Sequence, residues 1–327
     1  MSTYTMLVNI IANYLQISPV QAKSLLDLFT LEKLWLEQPH WKGKTYQLSA
    51  VKTQADLMSF IQAAAQSKWY KNYDDSKLSD THFSQEVNQR YFSLFEGLGL
   101  INAVSCNTPP IFSAVLGCFE DDVIARVDTL KQDILNNNLA PKARIIFGLG
   151  CDRELGTSFV EQASINKLKK AGQATTEMNM INLLIYAALE DLVKQDDKFK
   201  SLVYQPVTTT PILKTNSVNT ADTAISLKQV IENQYDIPKP INIIVYSNQP
   251  YVLRQQRDIQ QTLGADFNVV GVGSALTQAE FNKDPKSINI CLGEVARLIN
   301  INYTPENLKR FADNLTADEI EEVNLLS

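Results

Sequence analysis

Apolar positions along this chain follow two rhythms, and the change between them falls near residue 107. Before it, spacings of three and four residues dominate, the signature of amphipathic helices. Phe83, Val87, Tyr91 and Phe95 recur every fourth residue and form one stripe on a helix predicted from about Ser79. Ser18 followed by Pro19 marks another helix start. Serine caps free amide groups, and proline has no amide to lose at the first helical position. A further helix is predicted from Thr53. Residues 1–107 therefore read as helical throughout, ending at the turn signal Cys106-Asn-Thr-Pro-Pro110.

Beyond that point short apolar runs alternate with helical patterns. Strands are predicted over 111–118, 143–150, 201–207, 241–247 and 267–273, with helices over 120–136, 175–193, 221–234 and 251–263 between them. Strands separated by helices imply βαβ units and a parallel sheet. The expected fold is therefore α/β, a Rossmann-like three-layer arrangement around a parallel sheet of about five strands, preceded by an all-helical region. Three segments follow: 1–107 helical, 108–300 Rossmann-like, and a C-terminal helical tail, 301–327, whose polar last helix reads as frayed. Ligands in such sheets bind outside the carboxyl ends of the strands. Function is therefore sought in the loops after Gly117, Gly150, Leu213 and Ser247.

Composition narrows the classes of partner. The net charge of −6 carries no block of Lys or Arg, which argues against nucleic acid, whose binding needs clustered cations. No run approaches 18 apolar residues, so no membrane span is expected. The first residues carry no basic leader, and the four cysteines show no CxxC spacing. A cytoplasmic, reducing location is the expectation. Both histidines, His40 and His82, lie in the helical region, leaving none in the α/β segment for a histidine metal site or a Ser-His-Asp arrangement.

The common nucleotide fingerprints are missing. Gly148-Leu-Gly150-Cys-Asp-Arg153 opens like a dinucleotide loop but has Arg where the third glycine would allow close helix–strand packing. Neither GxxxxGK[ST] nor GxSxG occurs. The ordered elements do resemble another family over residues 110 to 300. A first strand ends in Leu116-Gly117, and Arg126 follows in the next helix. The second strand ends in Gly148 and Gly150, and Thr176-Glu177-Met178-Asn179-Met180 opens an apolar helix. The run Ser217-Val-Asn219-Thr220-Ala-Asp222-Thr223-Ala224 comes next, and a last apolar strand leads to Arg254 and Gly264. This order is similar to that of the SanA/ElyC/YdcF-like family, a bacterial Rossmann-like domain of unknown function, and most to its cytosolic YdcF-type branch. Asp222 stands where that family has Glu, Thr223 where it has Asn, and Tyr251 where many members have His.

The resemblance implies a ligand site at the strand ends. Gly117, Gly148 and Gly150 would let backbone approach the ligand, and Arg126 and Arg254 would clamp an anionic group. Ser217, Asn219 and Thr220 would orient hydroxyls, while Glu177 and Asp222 would act as catalytic carboxylates. Each has a plainer reading too: Asn219 as a helix cap, Glu177 and Asp222 as first-turn acids, Arg126 and Arg254 as partners of Asp122 and Asp258 four residues away. No metal site is expected. S-adenosylmethionine binding is associated with the YdcF-type branch, so the resemblance makes it a candidate cofactor. Three functions stay open: a protein binding a small anionic or nucleotide-like ligand, with or without turnover; an S-adenosylmethionine-dependent methyltransferase; and a non-enzymatic protein whose helical N-terminal region meets a protein partner.

Overall fold

The computed structural model describes residues 3–70, 83–106, 111–136, 145–156, 161–210, 219–312 and 314–326. The chain divides into two compact units, residues 103–275 and a helical unit made of 1–102 with 276–327.

In the helical unit, α1 (Thr3–Leu15), α2 (Pro19–Leu31), α3 (Gln54–Lys68) and α4 (Gln85–Gly97) follow the apolar spacing. Ser18 caps α2 through a reciprocal bond with Gln21, with Pro19 in its first turn. Tyr91 and Phe95 of the predicted stripe are buried, whereas Phe83 precedes the helix and is 36% exposed. The region is not helical throughout. β1 (His40–Trp41) and β2 (Lys44–Thr45) pair antiparallel across Lys42 and Gly43, both with positive φ. Strands of two residues leave no periodicity to read, and Lys-Gly lacks the Asn-Gly signature of such a turn.

The other unit is the expected α/β layer structure. Its parallel sheet contains β3 (Phe112–Leu116), β4 (Ile145–Cys151), β5 (Val203–Thr209), β6 (Ile241–Asn248) and β7 (Phe267–Ser274) in the order β5-β4-β3-β6-β7. The chain steps outward from β3 to β5, then returns to the other side of β3 with β6 and β7. The topological switch point thus lies between β3 and β6, where such sheets open a crevice at their carboxyl ends. α5 (Glu120–Leu135), α6 (Gln162–Lys170) and α7 (Glu177–Gln195) connect the first three strands, and α8 (Thr220–Gln234) and α9 (Val252–Leu263) the rest.

Period-two alternation along β3 decides which helices meet which face. Val115 packs with α5 and α7 through Val123, Val127, Ile181 and Ile185. Phe112, Ala114 and Leu116 pack on the opposite face with Leu227 and Ile231 of α8 and Ile259 and Leu263 of α9. Both faces are covered, so the strands are apolar runs.

After β7 the chain returns to the helical unit with α10 (Gln278–Lys283), α11 (Ser287–Asn302), α12 (Pro305–Arg310) and α13 (Ala317–Leu325). Two expectations change here. Residues 276–300, read from the sequence with the sheet, pack in the helical unit, where α11 lies against α3. The tail is also tied down rather than frayed. Leu315 and Val323 are buried, and the Leu315 amide donates to the Lys52 carbonyl at 2.8 Å. Among the described residues no helix is long and apolar enough to cross a membrane.

Candidate functional site

The first strand–helix turn places Gly117, Cys118 and Phe119 at the carboxyl end of β3. Arg126 lies in the second turn of α5 and reaches back under this strand–helix turn. It is fully buried. Its Nη1 donates to the carbonyls of Leu116 and Gly117, both at 2.8 Å, and its Nε donates to Asn248 Oδ1 at 2.8 Å. Asn248, at the end of β6, passes the contact on by donating from Nδ2 to Asp122 Oδ1 at 2.7 Å. The arginine therefore spans the switch point and does not form the direct surface pair with Asp122. Its Nη2 is buried and has no hydrogen-bond partner among the described residues.

Glu177 stands at the first position of α7, where Thr176 caps the helix and the dipole favours a negative charge. Its Oε2 accepts from Arg153 Nε at 3.1 Å and from the Cys151 thiol at 3.3 Å. Its Oε1 points at Gly117, where an added Cβ would come within 2.0 Å of it. Gly117 is thus the residue at which Arg126 and Glu177 meet: its carbonyl takes the guanidinium, and its missing side chain leaves room for the carboxylate.

Arg153 is the residue the sequence reading missed, having noted it only as the wrong letter in a glycine motif. It also donates from Nη2 to Glu161 Oε1 at 2.9 Å, and its guanidinium lies 5.5 Å from the centre of the Phe119 ring. Glu161 is fully buried and accepts the Gly156 amide as well. One guanidinium therefore serves two buried carboxylates. No spacing rule could have joined Arg153 to Glu177, because the contact exists only once α7 lies on β4.

Gly148 and Gly150 are not open to a ligand. A Cβ at Gly148 would meet Tyr204 Oη at 2.3 Å and Ile181 at 3.0 Å, and one at Gly150 would meet Ile181 at 2.6 Å. These glycines let α7 lie close on β4.

Asn219, Thr220, Asp222 and Arg254 form a separate group. Asn219 and Asp222 exchange bonds as a capping box, with Asp222 Oδ2 accepting the Asn219 amide at 3.2 Å and Asn219 Oδ1 accepting the Asp222 amide at 3.0 Å. Arg254 donates to Asp258 Oδ2 at 2.9 Å and lies 3.4 Å from Thr220 Oγ1, joining α9 to the start of α8. For Asn219, Asp222 and Arg254 the plain structural roles are thus filled. Ser217 and Leu213 lie outside the described residues. Glu120 is buried on Ser164, accepting its hydroxyl at 2.7 Å and its amide at 3.2 Å. Among the described residues no three His, Cys, Asp or Glu side chains are placed to hold a metal ion.

Neither thiol at the strand ends is activated. Burial pushes Cys118 up to about 12 and, with Glu177 adding to it, Cys151 up to about 11. A nucleophilic cysteine needs the opposite shift.

Fold and side chains together define a doubly wound α/β protein with a charged, hydrogen-bonded cluster of side chains at its topological switch point. No protein-family model, no curated protein and no solved structure matches the chain.

Proposed function

We propose that the carboxyl ends of β3, β4 and β6 bind a small anionic or nucleotide-like ligand, with S-adenosylmethionine one candidate. The observation that carries this is the unpartnered Nη2 of Arg126. Leaving a buried donor without an acceptor costs about 1–3 kcal/mol, more for a charged group. An oxygen of a bound ligand would remove that cost. The ordered motifs shared with the SanA/ElyC/YdcF-like family favour the same strand ends. All four cysteines are free, in keeping with a reducing compartment such as the cytoplasm.

Arg126 anchors the anionic group in this reading, and Glu177 accepts a donor of the ligand or serves as a general base. Thermal denaturation against adenosine, S-adenosylmethionine, nucleotide sugars and phosphosugars tests it. A ligand at 100 times its Kd adds about 2.7 kcal/mol to stability. Arg126→Lys, which keeps the charge but loses the fork, is expected to abolish that gain. Unchanged melting across the whole panel overturns the reading.

A further inference from the structure

Charge arrangement around Gly117 narrows the ligand class; the argument rests on the strand-end reading above. We propose that this strand-end site takes a zwitterion of the α-amino-acid kind, its carboxylate on Arg126 and its ammonium on Glu177.

Arg126 is already fixed through Nε and Nη1, so only Nη2 remains to meet a ligand oxygen. It is held rigidly, and this one nitrogen meets an oxygen of an anionic group. Glu177 uses Oε2 for Arg153 and Cys151, which leaves Oε1, the oxygen against Gly117, as its ligand-facing acceptor. A positive and a negative group thus flank the same glycine.

The surroundings decide against a polyanion. Among the described residues, the hydrogen-bonded network around Gly117 holds two guanidiniums, Arg126 and Arg153, and three carboxylates, Asp122, Glu161 and Glu177. Arg153 alone answers two of those carboxylates, so its trio keeps an excess negative charge beside Gly117. A phosphate dianion would be repelled there, since like charges at close range are unfavourable. A molecule that carries its own cation next to its carboxylate complements both sides. Exclusion of phosphates is then built into the site as repulsion, not only as missing contacts.

Calorimetric titration of the full chain with the twenty protein amino acids, inorganic phosphate and ribose 5-phosphate tests the proposal. At least one amino acid should bind, while phosphate and ribose 5-phosphate should not. Replacing the amine of that amino acid by hydroxyl, or its carboxylate by amide, should weaken binding roughly tenfold to a hundredfold. Those comparisons need no variant. Glu177→Gln should additionally erase the preference for amine over hydroxyl while keeping the need for the carboxylate. Binding of ribose 5-phosphate without any amino acid overturns the zwitterion and leaves the site standing. Equal affinity for the amino and hydroxy acids overturns it too. Silence from every compound, including the nucleoside and phosphosugar panel, overturns both.

Discussion

Gly117 carries more of the site than any charged residue, because two opposite charges are arranged around a side chain that is not there. An alanine methyl would meet Glu177 Oε1 at 2.0 Å and the Leu149 carbonyl at 2.8 Å. The carbonyl belongs to β4 and cannot yield, so the carboxylate must swing away from Arg153 and Cys151. Overpacking of this kind costs about 1–3 kcal/mol. Gly117→Ala should lower the urea midpoint accordingly and abolish ligand-induced stabilisation. Adding Glu177→Ala to it should recover part of the stability, a non-additivity that a simple backbone effect would not show. At this scale motif order singled out Gly117, Arg126 and Glu177, and the structure places the three side by side. The sequence reading misassigned Gly148 and Gly150, because a glycine opened to a ligand and one flattened under a helix are written with the same letter. It passed over Arg153 because that side chain's partners, Glu161 and Glu177, lie eight and twenty-four residues away.

At the scale of elements, α8 separates capping from recognition. Asn219 and Asp222 satisfy each other's amides, and such a cap is worth about 1 kcal/mol when removed. Asn219→Ala should cost that amount in chemical denaturation, and Asn219→Ser, a good cap, only a few tenths. If the pair serves the helix alone, both variants keep full ligand-induced stabilisation, measured by the same melting shift. Loss of that shift in Asn219→Ser, with stability intact, would instead place the carboxamide on the ligand. The apolar rhythm revealed this helix and the strands around it, since each buries a continuous face. It failed on β1 and β2, where two residues per strand cannot alternate, and on α6, where only Ser164, Ile165 and Leu168 are buried in nine residues.

For the whole molecule, local pattern says that a helix exists but not which core it joins. The chain leaves the helical unit after Asn102 and re-enters it at Leu276, so residues distant in sequence complete one core. The tail shows this most plainly. Its last helix is polar enough to read as frayed, yet the Ala55 amide donates to the Phe311 carbonyl at 2.8 Å, and Phe311 meets the Tyr14 ring edge-on at 5.0 Å. Leu315 follows, buried, with its amide on Lys52. A frayed end would form none of these contacts. Leu315→Ala should therefore destabilise the helical unit by about 2–5 kcal/mol, the range for truncating a buried leucine. Native-state hydrogen exchange resolves where that cost falls. The amides of Ala55 and Leu315 should lose protection together, because one opening exposes both, while those in β3 and β6 keep theirs. Ligand-induced stabilisation should survive, since every residue of the charged cluster around Gly117 lies within residues 103–275. Unchanged protection at Ala55 would mean that the tail is an ornament on the helical core and not part of it.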